Sequence, residues 1–132
     1  MLIYRVENKR KEGIYSASNR DNFDNVRWDG FENGVRHPCP REDRLIRNPW
    51  YEMSSGQRKR FRFGFSSRKQ LKTWFFTKKV RKAIHDDGFH ISVYEIETKN
   101  VIKGESQAIF RKCKAKLVGR ISMVQLDIMN LV

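Results

Sequence analysis

Three groups of residues in this 132-residue chain have types and spacings that could do chemistry. The largest lies within residues 57–89. There Arg58, Lys59, Arg60 and Arg62 run into Phe61, Phe63 and Phe65, and Arg68, Lys69, Lys72, Lys78, Lys79, Arg81 and Lys82 follow. Guanidinium and ammonium groups hold phosphates by charge, and aromatic faces set among them can stack bases. The second group is Glu95 and Glu97, two carboxylates at a spacing that puts both on one face of a strand. The third is His37, Cys39, His85, His90 and Cys113, all of metal-ligating type. No pair of them has a C-x2-C or H-x3-H spacing, so no metal site is expected. The positions of Cys39 and Cys113 do not support nucleophilic catalysis either.

The elements that must position these groups can be read from periodicity. Leu2, Tyr4 and Val6 alternate with Ile3, Arg5 and Glu7, which is the pattern of a strand over residues 2–7. Arg5 lies on its polar side unless the strand is buried on both faces. Residues 16–57 have little periodicity and are rich in Asn, Asp, Arg, Gly and Pro. They read as a long irregular segment packed down by Trp28, Phe31, Trp50 and Tyr51. Within it, residues 36–43 form a loop stiffened by Pro38 and Pro40. The basic run opens as a strand with Phe61, Phe63 and Phe65 in one core-facing row. Ser67 stands three residues before Gln70, a capping box that opens a helix with Leu71, Trp74 and Phe75 inward. Thr77 caps a second helix carrying Val80, Ala83 and Ile84, which Gly88 ends. Residues 89–97 form the strongest strand, with Phe89, Ile91 and Val93 on one face and His90, Ser92 and Tyr94 on the other. Further strands are expected at 101–102, 107–112 and 115–123, with Gly119 marking a bulge or bend. The apolar tail 124–132 should dock as a strand or short helix. The sum is an α+β fold: an antiparallel-rich sheet with a short helical hairpin packed on one face.

Composition bounds the function. The length fits one domain over residues 1–132, with residues 58–88 as a basic strand plus helical hairpin. Hydrophobic residues make up 39% and aromatics 12%, which argues against disorder although 33% of residues are charged. No apolar run reaches membrane-spanning length and no signal-peptide pattern opens the chain, so a cytoplasmic location is expected. Two cysteines distant in sequence fit reduced thiols in such a compartment. The net charge of +13 and a pI near 10.1 attract polyanions. Lipid is the weakest candidate among these, since no helix joins a long apolar face to a basic one. On the expected hairpin no acidic residue compensates at i±4 until Asp86 meets Lys82, so its outer face stays basic.

Three resemblances add expectations. Phe63-Gly64-Phe65 resembles the aromatic strand of the RNA-recognition motif, but Arg62, Ser66 and Arg68 stand where that signature wants glycine, an aliphatic residue and an aromatic. The order Arg5, Ser66-Ser67, Glu95-x-Glu97 resembles the R-S-E pattern of ADP-ribosyltransferases. That likeness implies an NAD site of Arg5 and Ser67, with Glu97 stabilising an oxocarbenium-like transition state. The middle motif departs from Ser-Thr-Ser. A wider likeness is to small uncharacterised proteins of tailed phages and prophages. It is carried by Ile3-Tyr4-Arg5-Val6-Glu7, His37-Pro38-x-Pro40-x-x-Asp43, Phe63-Gly64-Phe65-x-Ser67-x-x-Gln70-Leu71-x-x-Trp74-Phe75, Gly88-Phe89 and Gln107-Ala108-Ile109-Phe110. It implies an accessory role in host takeover or defence evasion in the host cytoplasm, with no catalytic residues and no cofactor. The expected partner is nucleic acid or a nucleoprotein host-defence effector, held by the Lys/Arg-rich hairpin. The alternatives are an NAD-using enzyme and an inhibitor docking on an acidic host protein surface.

Overall fold

The computed structural model describes residues 1–13, 40–75 and 77–126. Among these residues, two three-stranded antiparallel sheets form the frame. In the first, β1 (Leu2–Glu7) and β6 (Lys116–Ser122) flank β3 (His90–Glu95); in the second, β2 (Phe61–Gly64) and β4 (Val101–Lys103) flank β5 (Ala108–Arg111). Reciprocal backbone hydrogen bonds between Tyr4 and Phe65, 2.8 and 2.7 Å long, join them along the edge of β1 away from β3. The chain can turn from one sheet to the other there because residue 64 has no side chain. A Cβ on Gly64 would come within 2.8 Å of Ile3 Cγ2 and 2.9 Å of the Tyr4 carbonyl.

The first sheet is covered on both faces. On one lie α3 (Arg68–Trp74) and α4 (Lys78–Asp86), which supply Leu71, Trp74, Phe75, Val80 and Ile84 to a core shared with Val6, Phe65, Phe89, Ile91, Met123 and Leu126. Each of these fully buried side chains is worth roughly 1.5–3 kcal/mol relative to exposure. On the other face Ile3 and Tyr94 meet Ala108 and Phe110 of the second sheet. Burial on both faces takes Arg5 and Glu7 inside with the apolar residues.

Helix starts follow the expected chemistry with one refinement. The Ser67 hydroxyl accepts from Gln70 N, and Thr77 Oγ1 accepts from Val80 N. The reciprocal half of the first capping box falls one residue early, since Gln70 Oε1 accepts from Ser66 N and Oγ. Gln70 Nε2 then reaches the carbonyls of Gly104 and Glu105 and ties α3 to the β4–β5 turn. Gly88 ends α4 at φ +91°, a left-handed conformation suited to glycine. Across β3–β6 the register shifts between Val93 and Tyr94, whose partners are Gly119 and Leu117, so the bulge lies where glycine marked it.

Two expectations need correction. The irregular reading of 16–57 missed α1 (Arg44–Glu52) and the start of α2 (Ser55–Arg58). Asp43 caps α1, and Ser54 with Gln57 forms a complete capping box for α2. Pro49 hid α1, because a proline inside a helix removes the bond to the carbonyl four residues earlier. Here that carbonyl belongs to Leu45, and the helix nevertheless runs through Pro49 to Glu52. Second, the three phenylalanines are not one core row. Phe65 enters the core beneath α3, while Phe63 packs on Trp50 of α1 with ring centroids 5.0 Å apart, and both Phe61 and Phe63 stay half-buried. Trp28, Phe31, the 36–39 part of the proline-stiffened loop and the tail beyond residue 126 lie outside the described residues.

Candidate functional site

The expected cationic residues fall into separate groups. On the helical hairpin, Lys69, Lys78, Lys79 and Lys82 are exposed and Lys72 is half-buried. Lys82 is paired at 2.8 Å with Asp86, one turn on. The two arginines of the hairpin turn inward. Arg81 is 3% exposed and donates to the Phe75 carbonyl, which takes it out of any surface contact. Arg68 is half-buried with its guanidinium 5.8 Å from the centre of the Tyr4 ring. Around β2, Lys59, Arg60 and Arg62 are exposed, and Arg62 Nη1 is steadied by the carbonyls of Lys59 and Phe61 at 2.7 and 3.0 Å. Arg58 is half-buried: Nε donates to the Trp50 carbonyl at 2.9 Å, and the guanidinium lies 5.4 Å from the Trp50 ring and 5.1 Å from the Tyr51 ring.

Between the sheets lies a charge network that periodicity alone did not disclose. Glu7, 1% exposed, receives Arg5 Nε at 3.1 Å, the Tyr94 hydroxyl, and Lys112 Nζ at 3.5 Å. Lys112 Nζ also donates to the Tyr94 oxygen at 2.8 Å, and Arg5 Nη1 to the Phe63 carbonyl at 2.6 Å. One chain of polar contacts therefore links β1, β2, β3 and the turn after β5. Burial pushes the Glu7 carboxyl upward. The hydrogen bonds from Tyr94 and Ser92, with the charges of Lys112 and Arg5, outweigh that and hold it below its ordinary value. Burial and the neighbouring carboxylate push the Tyr94 phenol far above its usual range. Burial lowers the Lys112 ammonium, and Arg5 and Lys11 lower it further against the pull of Glu7. His90 is lowered by burial and by Arg120 and Lys9, which favours the neutral ring at pH 7. The positive charge of Arg62 also bears on Arg5. Across β1–β3, Arg5 faces Ser92 and Glu7 faces His90.

The residues of the R-S-E likeness have separate tasks. Arg5 is committed to Glu7 and the Phe63 carbonyl, and Ser67 caps α3. Glu97 follows the end of β3, exposed and 3.4 Å from Lys99. Leu2 pairs with Glu95 and Arg5 with Ser92, so Glu97 lies toward the opposite end of the sheet from Arg5. Among the described residues no three of His, Cys, Asp and Glu converge as metal ligands; His37 and Cys39 lie outside them.

Asp43 was grouped with the proline loop, and the structure gives it a structural role. It is 2% exposed and accepts from Leu45 N, Glu105 N, Ser106 N and Ser106 Oγ at 2.9–3.2 Å. It therefore anchors α1 to the β4–β5 turn, and those donors hold its carboxyl low against the effect of burial. What α1 then displays is a surface missed by sequence reasoning. Tyr51 is 47% exposed, with Arg58 and Arg41 guanidinia 5.1 and 6.0 Å from its ring centre. Arg44 and Arg47 precede it at helical spacing, i, i+3, i+7, the signal that could have found this face.

The described chain is thus an α+β protein with a paired-charge interior and a basic exterior, and its relatives are bacteriophage proteins. The chain belongs to the Bacteriophage T4 Y00F protein family, which matches residues 1–124. It is also 36% identical over 63 residues to a protein of Enterobacteria phage T4 described as "Uncharacterized 19.7 kDa protein in motB-dexA intergenic region". That match covers 48% of this chain and 37% of the relative, so it spans little more than a third of the phage T4 protein. No solved structure matches. Among the described residues no helix is long and apolar enough to cross a membrane.

Proposed function

We propose that this protein binds a polyanionic partner, nucleic acid or a nucleoprotein assembly, through its Lys/Arg-rich surface. The observation that carries this reading is the exposure of Lys59, Arg60, Arg62, Lys69, Lys78 and Lys79 on a chain of net charge +13. Exposed cations of this density draw phosphates by releasing the counterions condensed on them. Arg81 leaves the expected contact set because it is buried, and Lys82 is weakened in it by Asp86.

The test is affinity for duplex and single-stranded oligonucleotides across a salt series. Binding through several phosphates gives a steep linear fall of log affinity with log salt, with a slope of about −0.9 per contact on duplex DNA. Changing Lys69, Lys78 and Lys79 together to Glu should flatten that slope by about 2–3 units and leave thermal unfolding unchanged. Lys82 stays untouched in this variant, because its reversal would set a like charge against Asp86. Undiminished binding by the folded triple variant would refute the hairpin as the contact surface.

A further inference from the structure

The two cationic surfaces differ in chemistry. The exposed cations of the hairpin are lysines, compact and strongly hydrated point charges. Residues 41–62 hold seven basic residues against three acidic, and six of the seven are arginine. Arginine, unlike lysine, stacks its guanidinium plane on aromatic faces and bases. The aromatics needed for that are present and presented. Trp50, half-buried, leans on Phe63 at 5.0 Å; Tyr51 is 47% exposed; Arg58 bridges their two rings. The base of the ledge is tied down: Asp43 bonds the β4–β5 turn, Trp50 packs on Phe63 of β2, and Arg58 joins α2 to α1 at the Trp50 carbonyl. Arg41, 6.0 Å from the Tyr51 ring, is at the outer limit of a cation–π contact.

We infer that the ledge of Trp50, Tyr51 and Arg58 is a stacking platform for unpaired bases of single-stranded nucleic acid. The flanking Arg47, Lys59 and Arg60 take the phosphates. The inference rests on the polyanion-binding reading and adds to it the strand state of the ligand. A duplex hides its base faces in the stack and can engage the cations but not the ledge, whereas a single strand engages both. Arginine guanidinia set beside exposed ring faces match the alternation of phosphate and base along a single strand, and an acidic protein partner is the outcome left if none of the oligomers binds.

The experiment compares the full chain with its Tyr51→Ala and Tyr51→Phe variants on three fluorescent 12-mers: single-stranded DNA, single-stranded RNA and duplex DNA. All are titrated at one fixed moderate salt and again across a salt series, after thermal melts confirm folding. Wild-type protein is expected to prefer single strands. Tyr51→Ala should weaken single-strand binding by about 5- to 150-fold, the range measured for loss of one base–aromatic stack, and leave duplex binding within about twofold. Tyr51→Phe should retain wild-type affinity, since the ring and not the hydroxyl is used. The DNA and RNA arms decide which sugar is preferred. Salt-dependent binding that Tyr51→Ala leaves unchanged, or weakens equally on duplex and single strand, overturns the platform while the polyanion reading stands. Absence of binding to all three oligomers overturns both.

Discussion

Replacing Glu7 by Leu removes the acceptor at the centre of the inter-sheet network. Glu7 is 1% exposed and Arg5 7%, so the Arg5 guanidinium would remain inside with the Phe63 carbonyl and no carboxylate. The Tyr94 hydroxyl would lose the oxygen it donates to, and Lys112 its counter-charge. Breaking a buried ion pair from one side costs about 3–5 kcal/mol, because the other charge is left unpaired. A domain of this length has about 5–15 kcal/mol in all, so the variant should lose a large part of its stability and melt roughly 10–20 °C lower. Urea unfolding followed by circular dichroism measures the loss directly, and a Leu variant at Arg5 with the Glu7, Arg5 double variant completes a cycle. The double variant should recover part of the single loss, since an apolar pair carries no orphaned charge. The pH dependence has a defined sign. The folded Glu7 carboxyl titrates below its ordinary value, so its contribution is complete above about pH 4.5 and is lost as pH falls through the folded value. Glu7→Gln should flatten that acid limb. A Glu7→Leu loss below about 1 kcal/mol, or losses that simply add in the double variant, would refute the network as a coupled unit.

Other predictions concern single close approaches and backbone positions. A Cβ at Gly104 would lie 2.4 Å from Asp43 Oδ2 and 2.5 Å from both the Gln107 carbonyl and Ile46 Cδ1. Gly104→Ala should therefore cost about 1–3 kcal/mol in denaturant melts, and an unchanged midpoint would contradict the packing of α1 on the β4–β5 turn. Asp43→Ala removes a helix cap and three further bonds to residues 105 and 106. It should cost roughly 2–4 kcal/mol and raise hydrogen exchange in both α1 and that turn. Gly88 has open space around it but φ +91°, so Gly88→Ala should cost about 1–2 kcal/mol through backbone conformation alone, with Gly88→Asn milder. Equal losses for the two Gly88 variants would argue against that cause.

How much the sequence determined varies with the range of the interaction. Caps are local: Ser67, Thr77 and Gly88 act on backbone groups within a few residues, so they were legible without a fold. The strands at β1, β3, β5 and β6, and the bulge at Gly119, followed from period-two alternation and one glycine. The α+β class followed from these elements. Helix α1 was not legible, because Pro49 argues locally against helix, whereas the Asp43 bonds to residues 105 and 106 and the packing of Trp50 on Phe63 that hold it are tertiary. The split of the phenylalanine row was not legible either, since it depends on the chain crossing between sheets at Gly64 against Ile3 and Tyr4. The pairing of Arg5 with Glu7 and the arrival of Lys112 and Tyr94 beside them, 105 and 87 residues from Glu7, were decided by which faces the sheets bury. The sequence by itself determined a basic chain rich in lysine and arginine. Only the tertiary structure decided that Arg81 and Arg5 turn inward and that arginines gather around Trp50 and Tyr51. Charge is a property of composition, but exposure and neighbourhood are properties of packing, and packing is set by contacts that no local stretch of residues contains.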